Sequence, residues 1–553
     1  YNEPVNNEPR KMVILPTTPA GIIQYKIFLR ANEESSLYFK YPYLTISKDD
    51  PLISQLRTVS HEDYYERTVK FWDSLFSKGI DINVSEEKVN NTFKANLVYD
   101  LIARNKEGND YIQKVNEFQY DAFWLRDASS ILRMYDISGY HDIARQVLDF
   151  FPGWQQPDGN FVSQGGQYDA WGQVMWAYGQ HYLLTGDKSY TAKIYPSIKR
   201  AVEWLVNIRK TDSLNLIPVT TPGDNEDITG HVTGHNFIAL AGLKNVIVLA
   251  EAAGNSNDIK NFRNLYDDYY KTFTGHLKNV VSKTGGYIPP GMDKPGGQDW
   301  GNMQSLYPEI ILDPFDPMVS ATIMATRNKY QEGIMTYGDG RYLHHYITMF
   351  NTQSELIRNE REMAIEEFYS ELMHTGSTHT GFEYAIWPWS TRDFGMNLTP
   401  HGWFSAEFRT LLRNMMVREE GNALHLLSAI SPEWAKDGSR IIVRRAPTNF
   451  GTVNFEIQFS KGSAALTLSN EFRIRPKAVV LHLPWFFNIK SIRADGKEIN
   501  AGNNLAEIPA GTKQVVFQWS LKQNIIPYHY QKAVDDYKSE YLRRYEQFLI
   551  NGK

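Results

Sequence analysis

Between residues 86 and 420 the chain repeats one pattern, and that pattern limits its fold more than any other feature. Apolar residues recur at helical spacing in twelve segments, starting near Glu86, Arg126, Tyr140, Tyr168, Lys188, Gly230, Asp258, Met303, Pro317, Tyr342, Arg361 and His401. Alternate connections are short, and three are alike: Ser138-Gly139-Tyr140, Thr185-Gly186-Asp187 and Gly254-Asn255-Ser256. A glycine that ends one helix and a polar residue that opens the next make a tight helical hairpin. The other connections are residues 105–125, 154–167, 211–229, 285–302, 333–341 and 375–400, all long and rich in aromatic, acidic and glycine residues. Antiparallel neighbours send alternate connections to opposite ends, so the long loops are expected together. The pattern predicts a mainly α fold, an (α/α)6 toroid of six helical hairpins with a concave site at the long-loop end. An open helical solenoid is the competing arrangement.

The flanks read differently. Residues 1–58 are rich in β-branched and aromatic types and predict strands, as a segment packed on the main domain or the tail of a larger β domain. Residues 59–84 read as a linker helix, 85–429 as the helical domain, 430–521 as a small antiparallel β-sandwich and 522–553 as a terminal helix. With 553 residues the chain exceeds one ordinary domain, and no stretch reaches the length of a membrane span. It has no cysteine, which excludes disulfides and thiolate metal sites. A formal charge of −5 carries no basic footprint and argues against nucleic acid as a partner. Tyr1 stands where Met is usual, so a trimmed N-terminus is expected, and a periplasmic or secreted location with the cytoplasm as alternative. Oligomeric state is open, and no cofactor is implied. The 33 Tyr, 28 Phe and 13 Trp suit a core, and equally suit platforms for the apolar faces of sugar rings.

The long loops carry the candidate chemistry. The third contains Thr221-Pro222-Gly223-Asp224-Asn225-Glu226-Asp227, three carboxylates on a turn between two helices; alone, it reads equally as a solvated turn with an N-cap. The first ends in Phe123-Trp124-Leu125-Arg126-Asp127, a cap with a surface ion pair or a grip on hydroxyls, since Arg donates in a fork and Asp accepts. The second delivers Gln167-Tyr168-Asp169-Ala170-Trp171-Gly172, with Trp171 as suited to core as to a site. The fourth has Gln298-Asp299-Trp300-Gly301-Asn302, and the sixth Gly381-Phe382-Glu383-Tyr384 followed by Trp387-Pro388-Trp389 and Arg392.

These residues together resemble the (α/α)6-barrel glycoside hydrolases, nearest to the glucoamylase family and its relatives. Phe123–Asp127 is similar to that family's aromatic-x-x-Arg-Asp motif after the first helix, and Gln167–Gly172 to its Gln-x-Asp-x-aromatic-Gly motif. The family's general acid is the first Glu of Trp-Glu-Glu-x-x-Gly, matched here by Asn225-Glu226-Asp227-Ile228-Thr229-Gly230. Its catalytic base precedes a Trp-Ser pair before the last helix, a place occupied by Glu383 ahead of His401-Gly402-Trp403-Phe404-Ser405. Asn225 and Asp227 replace the family's Trp and second Glu, and the Glu383–Trp403 spacing is long. Pro447-Thr448-Asn449-Phe450-Gly451 resembles the C-terminal β domain of α-L-rhamnosidase-like members.

The resemblance implies glycosidic bond cleavage with inversion, exo-acting on a terminal α-linked sugar, with Glu226 as acid and Glu383 as base. It implies Arg126 and Asp127 on the terminal sugar, with Gln167, Asp169 and Asp227 on hydroxyls. Trp124, Trp171, Trp300, Trp387, Trp389 and Trp403 are the candidate stacking or lining aromatics. A disaccharide phosphorylase would need no base, and a non-catalytic glycan-binding protein would need neither carboxyl. His231 and His235, four apart, could share a metal, but they suit a helix cap or lining better, and no metal is expected. Glu309, Asp339 and Asp393 are next in line for the base should Glu383 not serve.

Overall fold

The computed structural model describes residues 24–42, 45–220, 227–293, 296–389 and 399–551. It divides into two units, Tyr1–Ser74 and Leu75–Lys553. In the first, helix α1 (Pro51–Thr58) starts on Asp50, whose side chain accepts from the Leu52 N–H, with Pro51 at its first position. Helix α2 (His61–Phe76) follows where the linker helix is expected. The predicted N-terminal strands do not form in residues 24–42 and 45–50, which hold no strand and are largely exposed. β-forming side chains make a strand only against a ladder partner, and residues 24–42 and 45–50 have none among the described residues; the strand expected at residues 12–15 lies outside the described residues.

In the second unit the helices are α3 (Glu87–Ile102), α4 (Leu125–Ile137), α5 (His141–Leu148), α6 (Asp169–Thr185), α7 (Lys188–Thr211), α8 (Thr233–Ala252), α9 (Ser256–Val281), α10 (Pro317–Arg327), α11 (Thr348–Arg358), α12 (Arg361–Met373), α13 (Gly402–Met416) and α14 (Tyr530–Asn551). The fold is mainly helical with a C-terminal β region that is antiparallel except for one strand pair. Two expectations are corrected. The Met303 segment is only a 3-10 turn, Gly301–Met303. The Tyr342 segment opens as a hairpin, Thr336–Tyr337 against Tyr342–Leu343, and its helix starts at Thr348. Gly338 and Gly340, at φ 62° and 86°, turn that hairpin, and Tyr and Leu suit its strands.

The tight turns follow their sequence chemistry. Gly186 ends α6 at φ 69°, and the Asp187 side chain caps α7 by accepting from the Tyr190 N–H. Gly254 and Asn255 do the same between α8 and α9. Helices α6 and α8 are buried over most of their surface, whereas α9 buries one stripe, Phe262, Tyr269, Phe273, Leu277 and Val281. Helix α4 packs on α6 and α13, α6 on α8, α8 on the 3-10 turn, and α11 on α13. Backbone meets backbone between α6 and α8: a Cβ on Gly172 would lie 2.4 Å from the Ile238 carbonyl oxygen.

The β region begins at Val417, where α13 ends, earlier than expected. Val417–Glu420, Ala423–Leu426, Ala478–His482 and Leu505–Ile508 form a four-stranded sheet, in which the middle pair is parallel. The larger sheet runs Asp81–Asn83, Arg440–Thr448, Gly451–Ser460, Ser463–Leu468, Gln514–Leu521, Phe487–Ala494 and Lys497–Glu498, with Glu471–Phe472 paired to Gly451–Ser460. It thus recruits a strand from the stretch read as linker. Inward residues of both sheets, such as Val443, Ile457, Leu424 and Val479, share one core with α11, α12 and α13.

Candidate active site

The six long loops meet at the N-terminal ends of α4, α6, α8 and α13, and each is bonded to the next. Trp124 donates from its indole to Gln164 Oε1 at 2.9 Å, first loop to second. The Thr220 hydroxyl donates to the Gly166 carbonyl at 2.7 Å, second to third. His231, just before α8, sits 2.5 Å from Asp293, third to fourth. The Gly338 N–H donates to Gln298 Oε1 at 3.0 Å, fourth to fifth. The His345 N–H donates to the Glu383 carbonyl at 2.8 Å, fifth to sixth. Finally the Tyr120 hydroxyl donates to Glu383 Oε2, sixth back to first.

Glu383 is the chemical centre of this cycle. It is 4% exposed, and burial pushes its carboxyl up to about 7. The hydrogen bond from Tyr120 and the charge of Arg126 oppose that rise, while Asp127 adds to it. His401 caps α13 by accepting from the Phe404 N–H on Nδ1, which puts its proton on Nε2, 3.9 Å from Glu383 Oε2. Burial drives His401 down to about 3, so it is neutral. Tyr346 stacks between His401 and Trp403, with centroids 5.3 and 4.7 Å away. Tyr384, half-buried, feels the charges of both Glu383 and Asp227. His344 stacks on Tyr384 at 5.7 Å, and its shielded Nδ1 has no partner among the described residues.

Arg126 and Asp169 are placed otherwise than expected. Both are 2% exposed, and Arg126 forks onto Asp169 with Nε–Oδ2 2.5 Å and Nη2–Oδ1 2.9 Å. Trp300 covers the guanidinium at 4.5 Å. The pair holds α4 to α6 instead of gripping hydroxyls, and it leaves Asp127, next along the helix, within charge range of Glu383 and Tyr120. Trp171 is fully buried, with its N–H on the Ala201 carbonyl at 2.8 Å, so it is core and not a stacking platform. Trp300 and Trp403 are buried edge to face at 5.5 Å under the site. Gln167 is buried ahead of α6. Trp387 is 44% exposed, while Trp389 stacks on Tyr537 of α14 at 5.1 Å under Arg544 and is committed there. Asp227 is exposed at φ 54°, its Oδ2 3.5 Å from Gln298 Nε2. Glu226, the expected acid, lies outside the described residues, as do Asp224, Asn225, Arg392 and Asp393.

Glu309 and the histidine pair fall outside this centre. Glu309 accepts from Gln180 and Asn245, late in α6 and α8 and away from Glu383. His231 precedes α8 and is held between Asp212 at 2.8 Å and Asp293, so it shares no helix face with His235. Among the described residues no group of three His, Cys, Asp or Glu is placed to hold a metal, and no helix is long and apolar enough to cross a membrane. Tyr120 is the main residue missed in the sequence. Its membership of the first long loop is its only signal, because its partner lies 263 positions away.

No protein-family model matches the chain. A curated relative, an uncharacterised glycosyl hydrolase of Methanocaldococcus jannaschii, is 26% identical over 207 residues, 35% of this chain and 31% of the relative. Among solved structures, an α-L-rhamnosidase from Dictyoglumus thermophilum is similar with a TM-score of 0.58 at 14% identity, covering 80% of this chain and 50% of that one. A GH78 family rhamnosidase of Bacillus sp. GL1 gives 0.52 at 13% identity, covering 71% of this chain and 40% of that one. A bacterial glucoamylase complexed with acarbose gives 0.50 at 14%, covering 65% and 60%. The chain has the fold of these glycosidases, and it spans less than two thirds of the length of each.

Proposed function

We propose that this chain is a glycoside hydrolase that removes a terminal sugar from an oligo- or polysaccharide, exo-acting on an α-glycoside with inversion. The observation that carries the reading is Glu383, a buried carboxyl held near neutrality where six loops converge. We also propose that the helical domain closes as six hairpins, a reading supported by the cycle of loop bonds. Hydrolysis needs a proton for the leaving oxygen and an activated water for the anomeric carbon. Glu226, on the third loop, is proposed as the acid. Glu383 is proposed as the base, its carboxylate stabilised by Tyr120. Asp127, Trp124, Tyr384 and Asp227 are proposed to meet the terminal sugar. The relatives named above support the reaction class, and the carboxyl pair is expected roughly 6.5–9.5 Å apart.

The test is release from a panel of aryl glycosides and oligosaccharides, with and without phosphate, with proton NMR of the first product before mutarotation. Phosphate-independent release with inverted configuration is expected. Release that requires phosphate would make the enzyme a phosphorylase. A product of retained configuration would mean a covalent intermediate and carboxyls about 5–5.5 Å apart, and binding without turnover would leave a glycan-binding protein.

A further inference from the structure

His345 stands directly behind Glu383. It follows the strand Tyr342–Leu343 and leads into α11, and it is fully buried. The sixth loop runs along this stretch as an added partner. Leu343 pairs with Ile386, its N–H donating to the Ile386 carbonyl at 2.8 Å, and the His345 N–H donates to the Glu383 carbonyl at 2.8 Å. Between these two bonds Ala385 sits at φ 69°. That is left-handed backbone for a residue with a Cβ, and it persists only where the surroundings fix it.

The His345 ring adds a third hold. Nδ1 accepts from the Phe382 N–H at 3.4 Å, a long bond to the residue before Glu383. Only an unprotonated nitrogen can accept, so the ring proton is on Nε2. Nε2 donates to the Glu371 carbonyl at 2.8 Å, with Glu371 Oε2 3.1 Å away. Glu371 lies in the last turn of α12, where carbonyls have no partner within the helix and need an outside donor. Phe404 and Phe382 pack on the ring, with centroids 4.2 and 4.7 Å away. Burial drives His345 down to about 3 and raises the Glu371 carboxyl well above its usual range. The ring is therefore neutral at pH 7. A neutral imidazole is rigid, accepts on one nitrogen and donates on the other, as joining a loop N–H to a helix carbonyl requires.

We propose that His345 is a positioning residue for Glu383: its ring ties the loop backbone at Phe382 to the end of α12, and its main chain ties Glu383 itself. The proposal rests on the reading of Glu383 as the base. His345 is 0% exposed and touches no substrate, so it acts through the placement of Glu383. Misplacing a reacting group by about 1 Å costs roughly 100-fold in rate. Trp124, Asp127 and Asp227, proposed to meet the sugar, are on other loops and keep their places.

Three variants test it, with the aryl glycoside that the unaltered chain releases fastest and with hydrogen exchange followed by mass spectrometry. His345→Phe keeps a ring and deletes both polar contacts. Its kcat should fall roughly 100-fold with KM changed by less than about twofold. Deuterium uptake should rise over residues 381–386 and not in α4 or α6. His345→Asn puts an acceptor oxygen where Nδ1 stands and should recover most of the loss. His345→Gln puts an amide where Nε2 stands, keeps only the bond to α12, and should not recover it. An unchanged kcat in His345→Phe, recovery by Gln and not by Asn, or uptake that rises equally along the whole chain would each overturn the proposal. If His345→Phe does not fold, the contrast between Asn and Gln decides. If the unaltered chain releases sugar from no glycoside, the hydrolase reading falls by itself, and the exchange pattern decides whether His345 holds the loop.

Discussion

Glu383 sets the pH behaviour expected of the reaction. A base works ionised, so turnover should fall as pH drops through about 7, the value to which burial raises this carboxyl. Tyr120→Phe removes the hydrogen bond that favours the carboxylate, and the acid limb of kcat/KM should move to higher pH. An unmoved limb would detach the limb from Glu383. Next to it, neighbouring carboxylates separate structure from chemistry. Asp169→Asn strips Arg126 of its buried counter-charge and should cost about 3–5 kcal/mol in urea unfolding, as breaking one partner of a buried pair does. Asp127→Asn, not being part of that fork, should keep the fold and lose turnover. If Asp169→Asn unfolds at the wild-type denaturant concentration, the fork is dispensable for stability.

At the level of elements, the contact of α6 with α8 depends on glycines. A methyl at Gly172 would meet the Ile238 carbonyl at 2.4 Å and Ala239 N at 2.9 Å, backbone atoms that cannot rotate away. Gly172→Ala should therefore cost about 1–3 kcal/mol through overpacking, read as a lower midpoint in thermal and urea unfolding, and a neutral result would mean that the helices slide. The same elements show what a sequence discloses. Gly186-Asp187 and Gly254-Asn255 wrote their hairpins plainly, because capping is local chemistry. The Arg126–Asp169 fork spans 43 positions, and no local rule distinguishes it from a substrate grip. Trp171 follows the same logic: its type and motif suit a site, and only the third dimension shows the Ala201 carbonyl beside it. In residues 24–42 and 45–50 the β reading failed for the opposite reason, since local preference was present and no ladder partner was, among the described residues. Residues 336–343 needed their glycine turn weighed above their apolar period.

On the scale of the whole second unit, the C-terminal helix reaches the candidate site. Helix α14 buries no residue fully, yet Tyr537 and Arg544 sandwich Trp389 on the loop that also carries Glu383. Replacing Tyr537 and Arg544 together by Ala should raise KM severalfold with little change in unfolding midpoint, measured by steady-state kinetics and denaturation; an unaltered KM would make α14 a strap alone. The cycle of loop bonds has a consequence for how such a chain diversifies. With both neighbours attached to every loop, lengthening one strains two seams at once. New substrate range is then more readily acquired by exchanging adjacent loops as a matched pair, seam included, than by grafting a single loop from a relative. Chimeras cut between Gly166 and Thr220 or between Gln298 and Gly338 would break such seams, and those that carry each pair across intact should be the ones that fold.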